Sequence, residues 1–535
     1  MKLSKLLLTS TTALGLSMTA AVADNNEALL NQDGADNSAI IDQSAATNST
    51  AGVHGGSNPN SEINQDGDDN DLDFTQIGDS NSIGTGDAFV QDGNQNSANV
   101  TQDGDGNNFT YMIQRGGAAS SLSNQLDLMQ DGDNNRTKEV RQTLSGGSTP
   151  NTMSITQDGN DLVAGGRLRQ NGNGNSLTID QSGTNNRIAP ANNIVGAPSA
   201  SPAYSSLNQD GKNNSMNLTQ SGTNNEVRQA QQIGDSNTTN ADISGMDNGI
   251  DPLTTSSATR VPTSLTSRIY PGASGESGAM AGALDQFGNG NNVDLMITGN
   301  SNAYGTLQMG DDNLAVNMMV TGDDNSIGVG QYGNRNEIDL AVVDGDENSI
   351  GFNQDGDDNF ASADVDGRRN NSLIGQDGDR NTTYLEVSGT SNEASLKVTG
   401  NDNYLNANQA GRRHEMDVDF QGDDNNNFPT ANALSGSALI ARDFVRANGD
   451  PVAASFRQGD LIQRGNSSNT PTLLTLTGVN ADKSSFAMYQ EGTANTIVGS
   501  ISNGSYNQAV VGQIGSFNSA SFSQTGSGNN VGIMQ

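Results

Sequence analysis

A short motif recurs along almost the whole chain and limits what the chain can fold into. The motif is Gln or an aliphatic residue followed by x-Gly-x-x-Asn, and successive copies start eleven or twelve residues apart. Between residues 286 and 425 the register is almost unbroken, and Gln and aliphatic residues mostly alternate at the first position. The larger unit is therefore a pair of half-repeats, 22 or 23 residues long. Such a period predicts a stack of small structural units instead of separate globular domains.

Each half-repeat has the pattern of one β-strand. In residues 70–76, for example, Asn70, Leu72, Phe74 and Gln76 alternate with more polar residues. Alternation over seven residues predicts a strand with one buried face. The Gly, Asp and Asn residues between strands favour tight turns, in which Gly can adopt positive φ. We therefore predict an all-β fold, a β-solenoid of stacked strand–turn–strand rungs with amyloid-like cross-β packing and loop insertions.

Stacking in register also explains why Gln and Asn occupy inward positions. A buried amide without a partner costs about 1–3 kcal/mol, but an amide that recurs in every rung can donate to one neighbour and accept from the other, as in cross-β ladders. Polar linker residues would have no reason to keep a constant frame with Gly. The predicted ladder residues are Gln286, Asn291, Gln308, Asn313, Gln331, Asn336, Gln354, Asn359, Gln376, Asn381, Gln409, Gln513, Asn518, Gln524 and Asn529. The predicted turn glycines are Gly288, Gly310, Gly333, Gly356, Gly378, Gly515 and Gly526.

Several segments interrupt the repeat and suggest how the chain is organised. Because some contain Pro, we expect loops that leave from turns, where Pro removes no ladder bond, and we expect the two longest to break the array. The interruptions are 44–61, 115–129, 143–156, 189–206, 246–284 and 428–457. The predicted organisation is 24–245 for interrupted repeats, 246–284 for a Pro/Ser/Gly-rich insertion, 285–427 for a regular array, 428–457 for a second insertion and 458–535 for C-terminal repeats.

Residues 1–23 have the features of a secretory signal peptide. Lys2 and Lys5 precede an apolar stretch of small residues that ends in Ala-Val-Ala. This order predicts export and cleavage after Ala23. No other segment approaches ~18 consecutive apolar residues, so we expect no transmembrane insertion of the mature chain.

The charge and cysteine content exclude several functional classes. There are 25 Lys and Arg residues against 61 Asp and Glu residues, a formal net charge of −36. Such a balance excludes a nucleic acid or an anionic membrane as an electrostatic partner. The chain has no Cys, so stability must come from packing and hydrogen bonds instead of disulfides.

Many turns carry Asp at alternate positions, a spacing that suits the oxygen ligands of Ca²⁺. The Gly and Glu that complete an EF-hand loop are missing, so we mainly expect solvated turns with local Asx hydrogen bonds and no cofactor. A secondary hypothesis is that Ca²⁺ or low pH speeds assembly by relieving repulsion between stacked carboxylates. The candidate calcium ligands are Asp66, Asp68, Asp103, Asp105, Asp355, Asp357, Asp377 and Asp379.

Catalysis is not expected, although some β-helical proteins are enzymes. The chain has only two His residues: His54 lies in an insertion and His414 takes the Asn position of a repeat turn. Neither has a nucleophile or a second His at a spacing typical of a catalytic site.

The repeat resembles the curlin repeat of curli fibre subunits. QDGDDNDLDFTQ, QNGNGNSLTIDQ and QIGSFNSASFSQ share its pattern, and QTGSGNNVGIMQ at residues 524–535 is similar to a terminal curlin repeat. The resemblance implies a bacterial functional amyloid, exported through a curli-type outer-membrane pore. It also implies nucleation at the cell surface by a nucleator protein and growth into extracellular, pilus-like fibres of the biofilm matrix that support adhesion.

The repeat itself favours self-assembly. A solenoid without polar caps has open strand edges to which another chain can add, and a head-to-tail contact of this kind produces filaments. We therefore predict a homopolymeric fibre. The alternative is a calcium-responsive cell-surface adhesin or surface-layer protein whose insertions bind a ligand.

Overall fold

A computed structural model describes residues 25–52, 62–84, 89–116, 124–145, 149–189, 206–249, 282–427, 433–466 and 470–535. The predicted signal peptide and His54 lie outside these residues. The chain divides into two compact units. Unit 1 contains the described residues up to 249 together with 282–291, and unit 2 contains those from 292 to 535.

Unit 1 contains 23 strands, several of them only two residues long. They are β1 Glu27–Ala28, β2 Leu30–Asp33, β3 Ser38–Thr47, β4 Thr50–Ala51, β5 Ile63–Asp66, β6 Asp71–Asp79, β7 Ser82–Ile83, β8 Phe89–Asp92, β9 Ser97–Asp103, β10 Asn108–Arg115, β11 Gln125–Asp131, β12 Arg136–Leu144, β13 Thr152–Asn160, β14 Val163–Ala164, β15 Arg167–Asn173, β16 Ser176–Thr184, β17 Arg187–Ile188, β18 Ser206–Lys212, β19 Ser215–Thr223, β20 Glu226–Val227, β21 Gln229–Ile233, β22 Thr238–Met246 and β23 Ala283–Phe287.

Unit 2 contains longer and more regular strands, one α-helix and one 3₁₀ helix. The strands are β24 Asn292–Asn300, β25 Ala303–Met309, β26 Leu314–Thr321, β27 Ser326–Tyr332, β28 Glu337–Asp346, β29 Ser349–Asp355, β30 Phe360–Arg368, β31 Asn371–Asp377, β32 Thr382–Thr390, β33 Glu393–Thr399, β34 Tyr404–Arg412, β35 His414–Gln421, β36 Asp460–Asn466, β37 Thr472–Asp482, β38 Ser485–Glu491, β39 Thr496–Ser505, β40 Gln508–Ile514, β41 Ser519–Thr525 and β42 Asn530–Met534. Helix α1 spans Gly436–Asn448, and the 3₁₀ helix spans Pro451–Ser455.

The strands of each unit form two parallel sheets. In unit 2 the odd-numbered strands form sheet 2a and the even-numbered strands form sheet 2b. In unit 1, sheet 1b contains β3, β6, β9, β11, β13, β16, β19 and β22, and sheet 1a contains the remaining strands. Each strand pairs with the equivalent strand of the next rung, so that Gln354 aligns with Gln376, for example. The predicted all-β solenoid of strand–turn–strand rungs is confirmed.

Inward side chains from both sheets fill the space inside each rung. Phe74 of β6 packs edge-on against Phe89 of β8, with 5.0 Å between ring centroids, and Phe89 packs in the same way against Phe109 of β10 at 5.3 Å. All three rings are fully buried. Because such edge-to-face contacts add to the free energy of apolar burial, this part of unit 1 has a dense core despite the polar composition of the chain.

Two insertions leave from strands of sheet 1a, where we expected turns. Strand β4 ends at Ala51 and β5 begins at Ile63, and each pairs with the next rung. The insertion at 44–61 therefore interrupts a strand whose two parts keep their ladder bonds. The same holds for 189–206, which separates β17 from β18. The expectation that all insertions leave from turns was wrong because a loop can leave a strand without disturbing the pairing on either side.

Two other interruptions are shorter than the sequence indicated. Residues 115–129 include the start of β11 at Gln125, and 143–156 include the start of β13 at Thr152. Both strands pair in register with their neighbours in sheet 1b.

The two longest insertions do not break the pairing within either unit, contrary to our expectation. In unit 1, β21 pairs with β23 across 246–284, with Gln232 opposite Gln286. In unit 2, β34 pairs with β36 across 428–457, with Gln409 opposite Gln463. The in-register ladder resumes after each insertion because the repeat on both sides keeps the same frame.

The insertion at 428–457 contains helix α1, which the prediction of a loop missed. Ala438, Ala441 and Val445 are buried on one face of the helix, the three- and four-residue spacing of an amphipathic helix. This face packs with Tyr489 and Val510 against the outer surface of sheet 2b. A Cβ atom on Gly512 would overlap the Val445 side chain, so the small residue permits the close approach. No helix among the described residues has the length and apolar character needed to cross a membrane.

One carboxylate of unit 1 is buried in a sheet. Asp285 of β23 is only 4% exposed, and the Gln229 amide donates to both of its oxygens at 3.1 and 3.0 Å. Burial raises the pKa of Asp285 to about 7, and the bonds from Gln229 offset only part of that effect. Folding therefore favours the protonated carboxyl, and the associated stability is complete below pH ~4 and is lost as pH rises through about 7.

We predict that Asp285→Asn makes the chain more resistant to urea at pH 8. The amide is neutral at every pH, so the variant should gain roughly 2–4 kcal/mol over the parent chain at pH 8 and almost nothing at pH 4. Urea unfolding of dilute chain, followed by circular dichroism, measures both values. Asp242→Asn, which changes an exposed residue of β22 in the same unit, is the control and should behave like the parent. An equal effect of Asp285→Asn at both pH values would contradict this assignment.

Candidate functional site: the columns of stacked Gln, Asn and Gly

Most of the predicted ladder glutamines form hydrogen-bonded columns, whereas Gln524 follows Ile501 and is bonded to no other Gln side chain among the described residues. In sheet 2a, Gln308 Nε2 donates to Gln331 Oε1 at 2.8 Å, Gln331 to Gln354 at 2.9 Å, and Gln354 to Gln376 at 2.9 Å. A second column in sheet 2b begins at Gln409. Each of these Gln–Gln bonds is donated towards the C-terminal neighbour, so each column has a direction.

The second N–H of each column Gln bonds the backbone of the opposite sheet. Gln331 Nε2 also donates to the carbonyl of Leu314 in β26 at 2.9 Å, and Gln354 Nε2 donates to that of Glu337 in β28 at 3.1 Å. Each Gln therefore joins consecutive rungs and also ties sheet 2a to sheet 2b. A single inward amide thus satisfies three hydrogen-bonding positions that burial would otherwise make costly.

Gln and apolar residues alternate along the sequence because each type occupies its own sheet. Opposite the Gln column of sheet 2a, the same position in sheet 2b is filled by the apolar residues Ile297, Val320, Val343, Val365 and Val387, all fully buried. After Gln376 the two types exchange sheets, with Val398 following in 2a and Gln409 following Val387 in 2b.

Unpartnered amide atoms occur where a Gln column meets an apolar residue. Gln220 precedes Ile243 in its column, Gln409 follows Val387, and Gln524 follows Ile501. In these three residues Gln220 Nε2, Gln409 Oε1 and Gln524 Oε1 are buried and have no hydrogen-bond partner. Each such atom loses its hydrogen bond because the neighbouring rung carries an apolar residue in place of Gln. A Gln column is therefore most stable when consecutive rungs all carry Gln.

The asparagines also form columns, but they bond mainly to the backbone. Asn336 Nδ2 donates to the carbonyl of Gly356 in the next rung at 2.7 Å, and Asn336 Oδ1 accepts the backbone N–H of Asn359 at 3.1 Å. We expected amide-to-amide pairing as for Gln. The shorter side chain instead holds the turn of the next rung, and direct Asn–Asn contacts such as Asn381 to Asn359 at 3.1 Å are secondary.

The turn glycines form the tightest contact between rungs. Gly356 has φ +115°, and a Cβ atom there would overlap the carbonyl of Gly378 in the next rung. Gly310, Gly333 and Gly378 are placed in the same way against the glycine that follows each of them. The position requires Gly both for its backbone angle and for this close approach. Gly526 differs because no atom lies within 4 Å of its Cβ position.

The Asp residues that follow the turn glycines bind backbone N–H groups of the preceding rung. Asp357 Oδ1 accepts the Asn334 N–H at 2.8 Å, and Asp379 Oδ1 accepts the Asp357 N–H at 2.9 Å. Asp68 and Asp105 make the equivalent bonds to Ala35 and Asp79. We expected Asx hydrogen bonds within each turn, but each Asp carboxylate instead accepts a backbone N–H of the preceding rung. Each of these four carboxylates thus has a structural role that does not require Ca²⁺.

The remaining calcium candidates are each the last residue of a strand, and each aligns with an Asp of the neighbouring rung. Asp355 aligns with Asp377, Asp66 with Asp92, and Asp103 with Asp131. Partial burial and, to a lesser degree, the charge of Asp377 raise the pKa of Asp355. Within the described ranges, no group of three or more His, Cys, Asp or Glu side chains is arranged to hold a metal ion. An effect of Ca²⁺ or pH on assembly stays a prediction.

His414 takes the place of an Asn in its column. Its backbone N–H donates to Asn392 Oδ1 at 3.0 Å, and its Nε2 lies 2.8 Å from the carbonyl oxygen of Gly465 in the next rung. Burial is the main cause of a lowered pKa for the His414 imidazole. The neutral ring with a proton on Nε2 reproduces the bond that the Asn Nδ2 donates to the next turn, whereas Nδ1, at the acceptor side, is buried without a hydrogen-bond partner.

Three column residues were missed at the sequence level. Gln43, Gln114 and Gln142 donate to Gln76, Gln142 and Gln170 in unit 1. In two of them, Gln114 and Gln142, extra residues in the sequence separate the Gln from the next Asn of the repeat and hide the motif. These residues could still have been found from the alternation of apolar and polar residues in the strand before each Gln, because that alternation places the Gln on the inward face.

Comparisons with known proteins do not place the chain in a family. No family model matches the sequence, and no curated protein matches it. The function is therefore inferred from the columns and from the strand edges at which they stop.

We predict that a column is more sensitive to substitution in its interior than at its end. Gln331→Val removes partners from Gln308 and Gln354, whereas Gln376→Val affects only Gln354, because the next residue in the column is already Val398. The interior variant should lose roughly 2–4 kcal/mol of unfolding free energy and the end variant about half of that. Urea unfolding of both variants at one pH provides the comparison. Equal losses would argue against a cooperative column.

Proposed function

We propose that the chain is a secreted structural subunit that assembles head to tail into extracellular, curli-like amyloid fibres of a biofilm matrix. It acts as a non-enzymatic building block whose partner is another copy of itself. The observation that carries the proposal is the complementarity of the two outermost rungs. The signal-peptide pattern supports export, and the resemblance to curlin repeats supports a curli-type export pore and nucleator as further partners.

The C-terminal rung has hydrogen-bond donors that no described residue uses. Interior column glutamines donate one N–H to the backbone and one to the next Gln. Gln524 Nε2 donates to the Gln508 carbonyl at 2.9 Å, and Gln535 Nε2 donates to the Ser519 carbonyl at 2.9 Å. In the described part of the chain neither has a further Gln to donate to. One N–H of each amide thus remains for an added rung.

The N-terminal rung has the matching acceptors. Gln32 Nε2 donates to Gln65 Oε1, and Gln43 Nε2 donates to Gln76 Oε1 at 2.7 Å. No described residue donates to Oε1 of Gln32 or Gln43. If the first rung of a second copy follows the last rung of the first, both Gln columns continue in the same direction. The backbone edges of β41 and β42 pair in the same step, which favours open-ended growth.

We predict that Gly526→Ala folds but inhibits fibre growth. The added methyl group has free space in the monomer, but in a fibre it would occupy the position of the next rung's turn carbonyl, as inside the array. Growth on preformed parent seeds, followed by thioflavin T fluorescence, should slow by more than about tenfold.

Gly528→Ala is the matched control for this experiment. Gly528 is in the same turn, has φ +73° and also has no atom within 4 Å of its Cβ position. The equivalent position in other turns holds residues such as Asp358 and Arg380 with φ +59° and +56°. Gly526→Ala carries more backbone strain than Gly528→Ala, so the urea midpoints of both monomers are measured first, and among folded monomers only Gly526→Ala should stop growth. Equal growth of the two variants would contradict the proposed contact.

A second prediction uses the backbone of the outer strand. Thr496 N–H donates to the Asn518 carbonyl, and Gly526 N–H donates to the Ser502 carbonyl. In β41 the odd-numbered residues therefore direct their N–H groups to the free edge. Ser521→Pro should remove one of these donors and reduce growth strongly, whereas Ser521→Ala should grow like the parent.

Parent fibres from the same preparations provide the structural readout. Their diffraction should show a meridional reflection near ~4.7–4.8 Å. A parent chain that remains monomeric by light scattering after weeks at high concentration would refute assembly.

A further inference from the structure

The outer surface of sheet 2b carries a large cavity beside the α1 insertion. Strands β30, β32 and β34 form its floor, and Leu434, Arg442 and Arg457 of the insertion form part of its wall. The cavity has a volume of about 920 Å³, at the upper end of the range typical of ligand pockets. It lies wholly within unit 2, and its floor strands β30, β32 and β34 are not the strands at which growth is proposed, so head-to-tail assembly does not account for it.

Two aromatic rings on the floor of the cavity, Tyr384 and Tyr404, belong to a row that continues outside the lining to Phe360. Phe360, Tyr384 and Tyr404 belong to three consecutive rungs of sheet 2b, and their ring centroids are 5.4 and 6.1 Å apart along the row. Tyr384 is 39% exposed. The rungs repeat every ~4.8 Å, close to the length of one sugar ring, so consecutive rings of a polysaccharide can each meet one aromatic side chain.

The insertion fixes the row at one end. Arg457 places its guanidinium carbon 5.8 Å from the centroid of the Tyr404 ring, and its Nη2 donates to the Tyr404 hydroxyl at 3.0 Å. A cation over an aromatic face together with a hydrogen bond restrains the ring. The binding surface is therefore largely formed before any ligand arrives, which lowers the entropic cost of binding.

The rim of the cavity combines hydrogen-bond acceptors and donors, and its two arginines are paired with carboxylates outside the lining, Arg442 with Asp443 and Arg457 with Asp460. Asp364 and Glu386 are adjacent in register on the sheet, and Arg442 and Arg457 supply two positive charges on the wall. Gln458 Nε2, also in the lining, is buried without a hydrogen-bond partner. A ligand without net charge but with many hydroxyl groups fits this rim, because a hydroxyl both donates and accepts.

From this geometry we infer that the cavity binds a neutral polysaccharide chain. Sugar rings lie with their C–H faces on Tyr384 and Tyr404, where the electron-rich aromatic faces receive them. Hydroxyl groups donate to Asp364 and Glu386 and accept from the Gln458 amide. The site belongs to the folded monomer, so its failure and the failure of fibre assembly are separate outcomes.

The test is affinity electrophoresis of dilute, monomeric full chain through native gels that contain hydroxyethyl cellulose, laminarin or mannan. At least one of these neutral polymers should retard the parent chain. Tyr384→Ala should raise the apparent dissociation constant for that polymer roughly tenfold, which is the effect expected for the loss of one good aromatic contact. Tyr384→Phe keeps the ring and should be retarded like the parent.

Two controls separate binding from folding. Tyr506→Ala removes a tyrosine of unit 2 that is 43% exposed but does not line the cavity, and it should be retarded like the parent. Urea unfolding of each variant should show that it is fully folded without denaturant, as the parent is, under the conditions of the gel. Gln458→Ala supplies an independent variant and should also weaken retardation.

Three results would overturn the inference. The first is no retardation of the parent by any of the neutral polymers. The second is retardation that Tyr384→Ala leaves unchanged. The third is binding of a planar aromatic cation such as thioflavin T to the monomer without binding of any polymer, which would assign the aromatic row to a different class of ligand.

Discussion

The contact between the turn glycines of successive rungs sets the geometry on which the other interactions depend. The carbonyl of one Gly occupies the space where a Cβ atom of the preceding Gly would be, so a side chain on a residue in this conformation would collide with the next turn. At this distance the backbone N–H of Gly356 reaches the carbonyl of Tyr332 at 2.9 Å, and the strands that follow pair in register. The recurrence of Gly every eleven or twelve residues is thus a steric requirement of the stack.

The Gln and apolar columns divide the interior of unit 2 between two kinds of stabilisation. An apolar column gains free energy from removal of surface from water, and each of its residues contributes independently of its neighbours. A Gln column gains from hydrogen bonds that exist only if the next rung carries the same residue, and the unpartnered atoms of Gln409 and Gln524 show the result where it does not. With one column of each kind, a rung gains free energy from apolar burial, and its Gln–Gln hydrogen bonds form only when the strands pair in the correct register.

The sequence predicted the fold and the column positions well because both follow from periodicity. Gln354 and Gln376 were placed one rung apart from spacing alone, and they are bonded to each other. The partners of Asn336 and Asp357 were not predictable in the same way, because these side chains bond backbone groups whose positions depend on how neighbouring turns align. Gln114 was hidden by an insertion that changed the local spacing without changing the stack. Helix α1 was missed because the repeat frame stops there and a different period, that of Ala438, Ala441 and Val445, takes over.

The position of α1 has a consequence for the order in which unit 2 folds. The N–H of Ser435 donates to Gln508 Oε1, and the N–H of Ala438 donates to Asn530 Oδ1, a residue 92 positions further along the chain. The surface that receives the helix does not exist until the last rungs have formed. In a chain that enters a compartment N-terminus first, rungs before the insertion can stack as they arrive, whereas the apolar face of α1 must wait in solvent for most of the remaining sequence. Helix α1 precedes in sequence the strands that it packs against, and it is therefore among the last elements of unit 2 to reach its final contacts.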